Sequence, residues 1–116
     1  MVLHDCNPPS ASVAVPAPSF DAAVQLGLPD WTGQWCGEVW KAIVHLRSRR
    51  DDLRVFVLDC DLGVGVVTRG KAEGLLAYST QDIEQLSYQH LHADRITLLN
   101  LKDPTHLDEF LASLTE

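Results

Sequence analysis

The sequence predicts an α/β fold organised around one helix and an antiparallel strand pair that follows it directly. Three observations carry this prediction. Apolar residues recur at helical spacing between residues 38 and 50, and a continuous apolar run follows at residues 54–59. A second β-branched run comes after a glycine-containing turn, at residues 64–68. We therefore expect the rest of the chain to pack around residues 35–68.

The helix is expected between Glu38 and Arg50, because the apolar residues there form one broad face at the helical period. Those apolar residues are Val39, Trp40, Ile43, Val44 and Leu46. The charges suit the helix dipole, with Glu38 in the first turn and a basic cluster of Arg47, Arg49 and Arg50 in the last. The basic cluster is thus explained as the positive end of a helix.

The strand pair is expected from two runs of β-branched and aromatic residues on either side of a turn. The first run, Val55 to Leu58, is apolar throughout, which is typical of a strand that is buried on both faces. Gly63 and Gly65 allow the chain to reverse, and the second strand continues from Val64 to Thr68. We therefore predict a helix followed by a hairpin.

The remaining segments are expected to join this core in a single domain that spans residues 1–116. Prolines spaced through residues 8–29 predict a long irregular loop, in which Phe20–Leu26 is the one possible helical turn. The expected divisions are a strand end at 1–6, a Pro-rich loop at 7–34, the helix–hairpin core at 35–68 and a mostly helical segment at 69–116.

Two helices are expected in the C-terminal segment. Ser87 can cap the first, although a strand at Arg95–Leu101 is the competing interpretation. Asp103 and Pro104 begin the second, and His106 in its first turn is expected to face solvent. The residues expected to carry the helical pattern are Tyr88, Leu91, Arg95, Leu98 and Leu99 in the first helix and Leu107, Phe110, Leu111 and Leu114 in the second.

Charge and cysteine content argue against several classes of protein. The net charge of −7 argues against nucleic acid or an anionic membrane as a partner, because phosphate contacts need clustered Lys and Arg. No apolar run approaches the ~18–20 residues that cross a bilayer, and the N-terminus lacks the features of a signal peptide. Cys6, Cys36 and Cys60 form no CxxC pair, which is typical of a reduced protein. We therefore expect a cytoplasmic protein.

The segment Asp59–Gly65 resembles, through Asp61, Gly63 and Gly65, the D-x-G-x-G loop that cradles an adenosyl cofactor. Such a loop needs a helix directly after it, whose N-terminal backbone amides face the ligand. A strand-like run, Val66 to Thr68, follows instead. We therefore interpret this segment as a hairpin turn.

His4, Asp5 and Cys6 are the candidate catalytic or metal-binding residues, because an imidazole, a carboxylate and a thiol can ligate a metal or serve as a general base. Three neighbours in an extended chain cannot all point the same way, so at most two are expected to converge. The alternative is a polar loop whose side chains bond nearby amides. His90 and His92 would share a face only on a strand, so in the expected helix they diverge.

Four segments, read in order, carry a family resemblance: VLHDCNPP at residues 2–9, CGEVWKAIVHLR at 36–47, LRVFVLDCDLGVGVV at 53–67 and SYQHLHADRITLLNL at 87–101. The chain resembles the C-terminal half of a class I S-adenosylmethionine-dependent methyltransferase, of the small family known as methyltransferase domain 24. The most specific part is Gly37–Ala42 together with the hairpin. The resemblance implies a partial Rossmann-like methyltransferase fold, with a helix, a C-terminal antiparallel strand pair and trailing helices.

The resemblance also implies which chemistry this half would contribute. The S-adenosylmethionine site of the family is built from the first βαβ units, which have no counterpart here, so the cofactor-binding residues are unknown and the chain is not expected to be active alone. By position, Asp5 matches an acidic residue that binds a divalent metal in more distant O-methyltransferases, and His4 would lie beside it, near the methyl-transfer site. Cys6 stands where some relatives have another metal ligand, which argues against a divalent metal here.

A missing N-terminal half would leave Val55 to Leu58 with an unpaired edge, which is a hazard for aggregation. We expect the chain to form a homo-oligomer through that edge, to pair with a companion chain that carries the N-terminal half, or to adopt a rearranged small sheet. The competing functions are a non-catalytic interaction module that uses its exposed edge and tryptophans, and a metal-dependent enzyme that uses His4, Asp5 and either His90 or His92.

Overall fold

The computed structural model describes residues 1–114, which form a mixed α/β fold with a four-stranded mixed sheet and five helices. Helices cover both faces of the sheet, and the Pro-rich loop precedes the first long helix. In chain order the elements are β1 (Val2–Leu3), α1 (Phe20–Gln25), α2 (Val39–Arg49), β2 (Leu53–Leu58), β3 (Val64–Arg69), α3 (Thr80–Gln85), α4 (Tyr88–Leu99), β4 (Leu101–Lys102) and α5 (His106–Ser113).

The strands are arranged in the order β1–β3–β2–β4. Both β1 and β2 run antiparallel to β3, with Val2 opposite Val66 and Val57 opposite Gly65, so β1 and β2 are parallel to each other. The short strand β4 pairs with β2 in parallel. The carboxyl ends of β1, β2 and β4 therefore lie along the same edge of the sheet.

The predicted helix and hairpin are confirmed, and α2 packs on one face of the sheet. Trp40, Ile43 and Val44 of α2 are almost completely buried and share one apolar cluster with Val55 and Val57 of β2. The same cluster includes Leu91, Leu98 and Leu99 of α4. The predicted helix after Ser87 is thus confirmed over the competing strand, with non-helical backbone at Asp94 inside it.

The other face of the sheet is covered by α5 through Phe110, one of the four apolar residues expected to carry the pattern of this helix. Phe110 packs on Phe56 at a ring distance of 5.2 Å, while Leu107, Leu111 and Leu114 remain 39–57% exposed. His106 lies one helical turn before Phe110 and packs edge-on against Phe56 at 5.0 Å. The prediction that His106 faces solvent is therefore wrong, because residues four apart share the buried face.

The expected unpaired edge at Val55 to Leu58 is also wrong. The Val57 amide donates to the Asn100 carbonyl at 3.4 Å, and the Asp59 amide donates to the Lys102 carbonyl at 2.8 Å. Asn100 ends α4 in a left-handed conformation, and its side-chain amide donates to the Val55 carbonyl at 3.0 Å. The strand β4, which the sequence pattern did not predict, covers this edge because the chain turns back directly after α4.

Arg47, at the basic end of α2, is buried and contacts α4. Its side chain is only 9% exposed, and its guanidinium donates to the Thr97 carbonyl of α4. Burial lowers the pKa of this guanidinium from its usual value. Arg49 and Arg50 remain at the surface, so Arg47 is the member of the basic cluster that bonds α4. None of the helices within residues 1–114 is long and apolar enough to cross a membrane.

Candidate functional site

The structure brings together the side chains of His4 and Asp5, which follow directly after β1. The distance from Nδ1 of His4 to Oδ2 of Asp5 is 2.8 Å. The His4 side chain is 91% exposed and that of Asp5 is 29% exposed. Asp5 has a φ of 63°, a left-handed conformation that few non-glycine residues adopt. This backbone conformation lets two sequence neighbours converge at the end of an extended strand.

Cys6, the third candidate, turns away from this pair into the core. Its side chain is fully buried, and Sγ lies 3.6 Å from the Leu3 carbonyl oxygen. Burial raises the pKa of the Cys6 thiol from 9.0 to about 11, so this thiol stays protonated at neutral pH. The convergence of two of the three residues agrees with the expectation from the sequence.

The His4–Asp5 pair alone does not fit a metal site. Within residues 1–114 no group of three or more His, Cys, Asp or Glu side chains is placed to hold a metal ion. Catalytic zinc sites use about three protein ligands, and here only an imidazole and one carboxylate converge. Metal binding by Asp5 thus stays a prediction that requires further ligands from residues outside this chain.

Two open clefts lie on either side of Asp5. One, of about 510 Å³, is lined by His4, Asp5, Gln34, Asp61, Leu62 and Val64 among others. The second cleft, of about 410 Å³, is lined on one side by Trp35. The indole nitrogen of Trp35 donates to the Val15 carbonyl at 2.8 Å. Because Nδ1 of His4 faces Asp5, its Nε2 is directed away from the pair. That geometry suits a general base that accepts a proton from a molecule in the first cleft.

Residues 59–63 form the turn between β2 and β3, as expected, and Gly65 lies within β3. A Cβ atom at Gly65 would lie 2.9 Å from Sγ of Cys6 and 3.1 Å from Cδ1 of Ile43. At Gly63 the corresponding space is filled by Asn7. Protein atoms therefore occupy the room that glycines leave for a cofactor in a phosphate- or adenosyl-binding loop, and a strand, not a helix, follows. The residues of this segment do not fit S-adenosylmethionine.

The histidines of α4 diverge, as the sequence predicted. Nδ1 of His90 accepts a hydrogen bond from the Ser87 amide at 2.9 Å and so caps the helix. The His92 ring instead stacks on Tyr88, at a ring distance of 5.8 Å. Neither joins His4 and Asp5, so the metal-dependent arrangement that combines these residues is not formed in residues 1–114.

A third cleft, of about 420 Å³, was missed by reasoning from the sequence. It is lined by Asp59 and Asp61 of the β2–β3 turn, by His92 and Arg95 of α4, and by Asn7. The available signal was the placement of Asp59 and Asp61 directly after a buried strand, where α/β proteins commonly place binding residues. Arg95 gave no such signal, because an arginine in a helix is usually a solvated surface residue.

We expect Asp5→Gly to raise the free energy of unfolding by about 0.5 kcal/mol, because glycine adopts the left-handed conformation of residue 5 without steric cost. The lost His4 contact is exposed and contributes little. Urea unfolding would measure the change, and Asp5→Asn, which tolerates the same backbone conformation, is the matched control. A loss of stability above about 1 kcal/mol in Asp5→Gly would contradict the left-handed geometry.

No family model, no curated protein and no solved structure matches the sequence significantly. The functional reasoning therefore rests on the geometry of His4, Asp5 and the clefts around them.

Proposed function

We propose that this chain is the substrate-side, C-terminal half of a class I S-adenosylmethionine-dependent methyltransferase. The observation that carries the proposal is the strand order β1–β3–β2, in which two parallel strands flank an antiparallel one. The resemblance implies that a final antiparallel strand pair joins a parallel sheet beside its fifth strand. With β1 as the end of that fifth strand, β2 and β3 have the required directions.

The segment with the most specific resemblance supports the same assignment. Gly37–Ala42 leads into α2, and α2 connects the parallel strands β1 and β2 as a crossover helix packed on the sheet. A connection of this type is the basic unit of Rossmann-like folds. His4 and Asp5 then lie at the carboxyl end of β1, where open α/β sheets bind their ligands.

In this proposal His4 is the general base and Asp5 is its positioning residue. Asp5 accepts a hydrogen bond from Nδ1–H of His4, which fixes the tautomer with a free lone pair on Nε2. Nε2 takes the proton from the hydroxyl or amine of an acceptor bound in the cleft shared with Asp61. The acceptor becomes a stronger nucleophile as the proton leaves. We assign no step to S-adenosylmethionine, because the residues of the segment Asp59–Gly65 do not fit it.

In this proposal the methyl donor is bound by residues outside these 116. The outer edge of β1 is not paired within residues 1–114, and the preceding parallel strands would join the sheet there. Either a longer form of this chain or a companion chain can supply them. Methyl transfer by the 116-residue chain alone would therefore contradict the proposal.

The test is an isothermal titration of the 116-residue chain with S-adenosylmethionine and with S-adenosylhomocysteine. We expect no binding at ligand concentrations up to the millimolar range, because Asn7, Cys6 and Ile43 fill the space around Gly63 and Gly65. Micromolar binding to this chain would contradict the division into halves. The interpretation of Asp59–Gly65 as a cofactor loop would then have to be reconsidered.

The second candidate is a non-catalytic interaction module, and the edge of β1 is the observation that favours it. Val2 lies in β1 and is 68% exposed, and Met1 directly before it is 71% exposed. An edge strand with exposed apolar side chains is a ready template for pairing with another strand. In this alternative two copies pair through β1, and His4 and Asp5 have no chemical role.

We expect Val2→Lys to weaken self-association at least tenfold, because a charge on the edge strand opposes pairing and removes apolar area from the contact. Val2 lies opposite Val66 on β3 and is mostly exposed, so the substitution should leave the monomer folded. Light scattering over a concentration series measures the effect, with Leu75→Lys as the control at another exposed apolar residue. Equal association of both variants would exclude β1 as the interface.

A further inference from the structure

The third cleft combines opposite charges that do not pair with each other. It lies where α4, the turn between β2 and β3, and the loop after β1 meet, and we call it the α4–turn cleft. The carboxyl ends of β1 and β2 meet at this edge of the sheet, which is the usual place for a ligand in an α/β fold. Its volume of about 420 Å³ suits a small molecule.

Arg95 supplies a positive charge of fixed orientation. Its Nη1 donates to Oδ1 of Asn7 at 2.6 Å and to the Pro8 carbonyl at 3.1 Å, and its Nη2 donates to the Tyr88 hydroxyl at 3.0 Å. These three acceptors are all neutral. A guanidinium has five N–H groups, so the Nε hydrogen and one on Nη2 remain for a ligand. No ion pair to Arg95 is formed within residues 1–114.

Asp59 and Asp61 supply negative charge from the turn. Oδ1 of Asp59 accepts a hydrogen bond from the side-chain amide of Asn7 at 3.3 Å, which is again a neutral partner. Asp61 has a φ of 50°, so its backbone is in the left-handed region. Strained conformations of this kind cluster at functional sites. Neither carboxylate forms an ion pair in the part of the chain that the structure describes.

We propose that the α4–turn cleft binds a small aliphatic amino acid in its zwitterionic form. The ammonium group would lie between Asp59 and Asp61, and the carboxylate would accept from the free N–H groups of Arg95. Leu101 and the His92 ring, which is stacked on Tyr88, would contact the aliphatic part. This inference uses neither His4 nor Asp5 and does not depend on the proposed methyl transfer, although Asp61 also lines the acceptor cleft assigned there.

The charges favour a zwitterion over simpler ligands. A plain anion would face two carboxylates, and a plain amine would leave the Arg95 guanidinium without an ionic partner. A divalent cation would find only two carboxylates, and no metal-binding group is formed in residues 1–114. A ligand with both charges satisfies both sides of the cleft, and such complementarity is what gives an electrostatic site its specificity.

The test is an NMR titration of the 116-residue protein with amino acids of increasing chain length: glycine, β-alanine, 4-aminobutyrate and 5-aminopentanoate. We expect at least one of them to bind with a dissociation constant on the order of millimolar and to shift the amides of residues 59–61 and 92–95. Butylamine and butyrate, which each carry only one of the two charges, should bind about fivefold more weakly than the best zwitterion.

Variants of Asp59 and Asp61 test whether the turn binds the zwitterion. Asp59→Asn keeps an acceptor for the Asn7 amide, and Asp61→Asn keeps a residue that tolerates the left-handed backbone. Each should weaken binding of the zwitterion about fivefold, whereas Asp51→Asn, which removes the same charge at an exposed residue outside the cleft, should not. The proposal is overturned if no amino acid binds, if butylamine binds equally well, or if Asp51→Asn has the same effect as Asp59→Asn.

Discussion

Replacing Trp40 with alanine is expected to lower the free energy of unfolding by about 4 kcal/mol, which is a large part of the stability of a domain of this size. Trp40 is 1% exposed and is among the largest fully buried side chains. It belongs to the apolar cluster that joins α2 to the sheet and to α4. Its removal would leave a cavity that the surrounding strand and helices cannot close.

Urea unfolding followed by circular dichroism measures this loss. Trp31→Ala is the matched control, because Trp31 is only half-buried and contacts Phe20 at a ring distance of 5.8 Å outside the main core. We expect Trp31→Ala to cost about 1 kcal/mol. If Trp40→Ala does not fold, Trp40→Phe provides a smaller change. A loss below about 1 kcal/mol in Trp40→Ala would mean that α2 is not docked as described.

The helix and the hairpin could be predicted because their signals are dense and local. In α2, Val39 to Leu46 repeat at the helical period within two turns, and the buried residues Trp40, Ile43 and Val44 are those the pattern selects. In β2, four consecutive apolar residues end the strand, and all four are buried. Such segments depend little on the rest of the chain, so reasoning from the sequence is sufficient for them.

The features that were predicted wrongly depend on distant contacts. In α5, the sequence pattern selected Leu107, Phe110, Leu111 and Leu114, but only Phe110 of these four packs over Phe56, and His106 packs beside it. The strand β4 has only two residues, too few for any periodic pattern, and exists because the chain after Asn100 reaches the edge of β2. Neither outcome is encoded in the local sequence.

The candidate site was predictable only in part for the same reason. His4 and Asp5 are neighbours, so their convergence needs only one unusual backbone angle. The α4–turn cleft instead joins residues far apart in sequence, since Arg95 contacts Asn7 and Pro8 across the fold. That contact follows from the order of the strands and from the docking of α4, which the pattern of a single sequence does not specify.

Gly63→Ala is expected to lower the free energy of unfolding by about 3 kcal/mol, because two costs add. Gly63 has a φ of 91°, in a region that L-residues rarely adopt. A Cβ atom there would also lie 2.5 Å from Cβ and 3.0 Å from Cα of Asn7. Asn7 cannot move away easily, since its backbone amide donates to the Leu62 carbonyl at 2.8 Å.

The Gly27→Ala variant distinguishes the cost of the backbone conformation from the cost of the contact with Asn7. Gly27 has a φ of 62°, and nothing lies within 4 Å of a Cβ atom built on it, so only the backbone term of about 1 kcal/mol applies. Thermal or urea unfolding of the two variants therefore measures the contact between Asn7 and the turn by difference. Equal losses in the two variants would show that Asn7 does not lie against Gly63.

The same substitution tests how the clefts are held together. Asn7 donates to Asp59 and accepts from Arg95, so its contact with Gly63 fixes the distance between the two charged sides of the α4–turn cleft. A variant that pushes Asn7 from the turn should weaken zwitterion binding even where the protein remains folded. Gly27→Ala, which lies outside the cleft, should lose stability and keep the binding unchanged. Loss of binding in both variants would instead mean that general destabilisation, rather than the position of Asn7, controls the site.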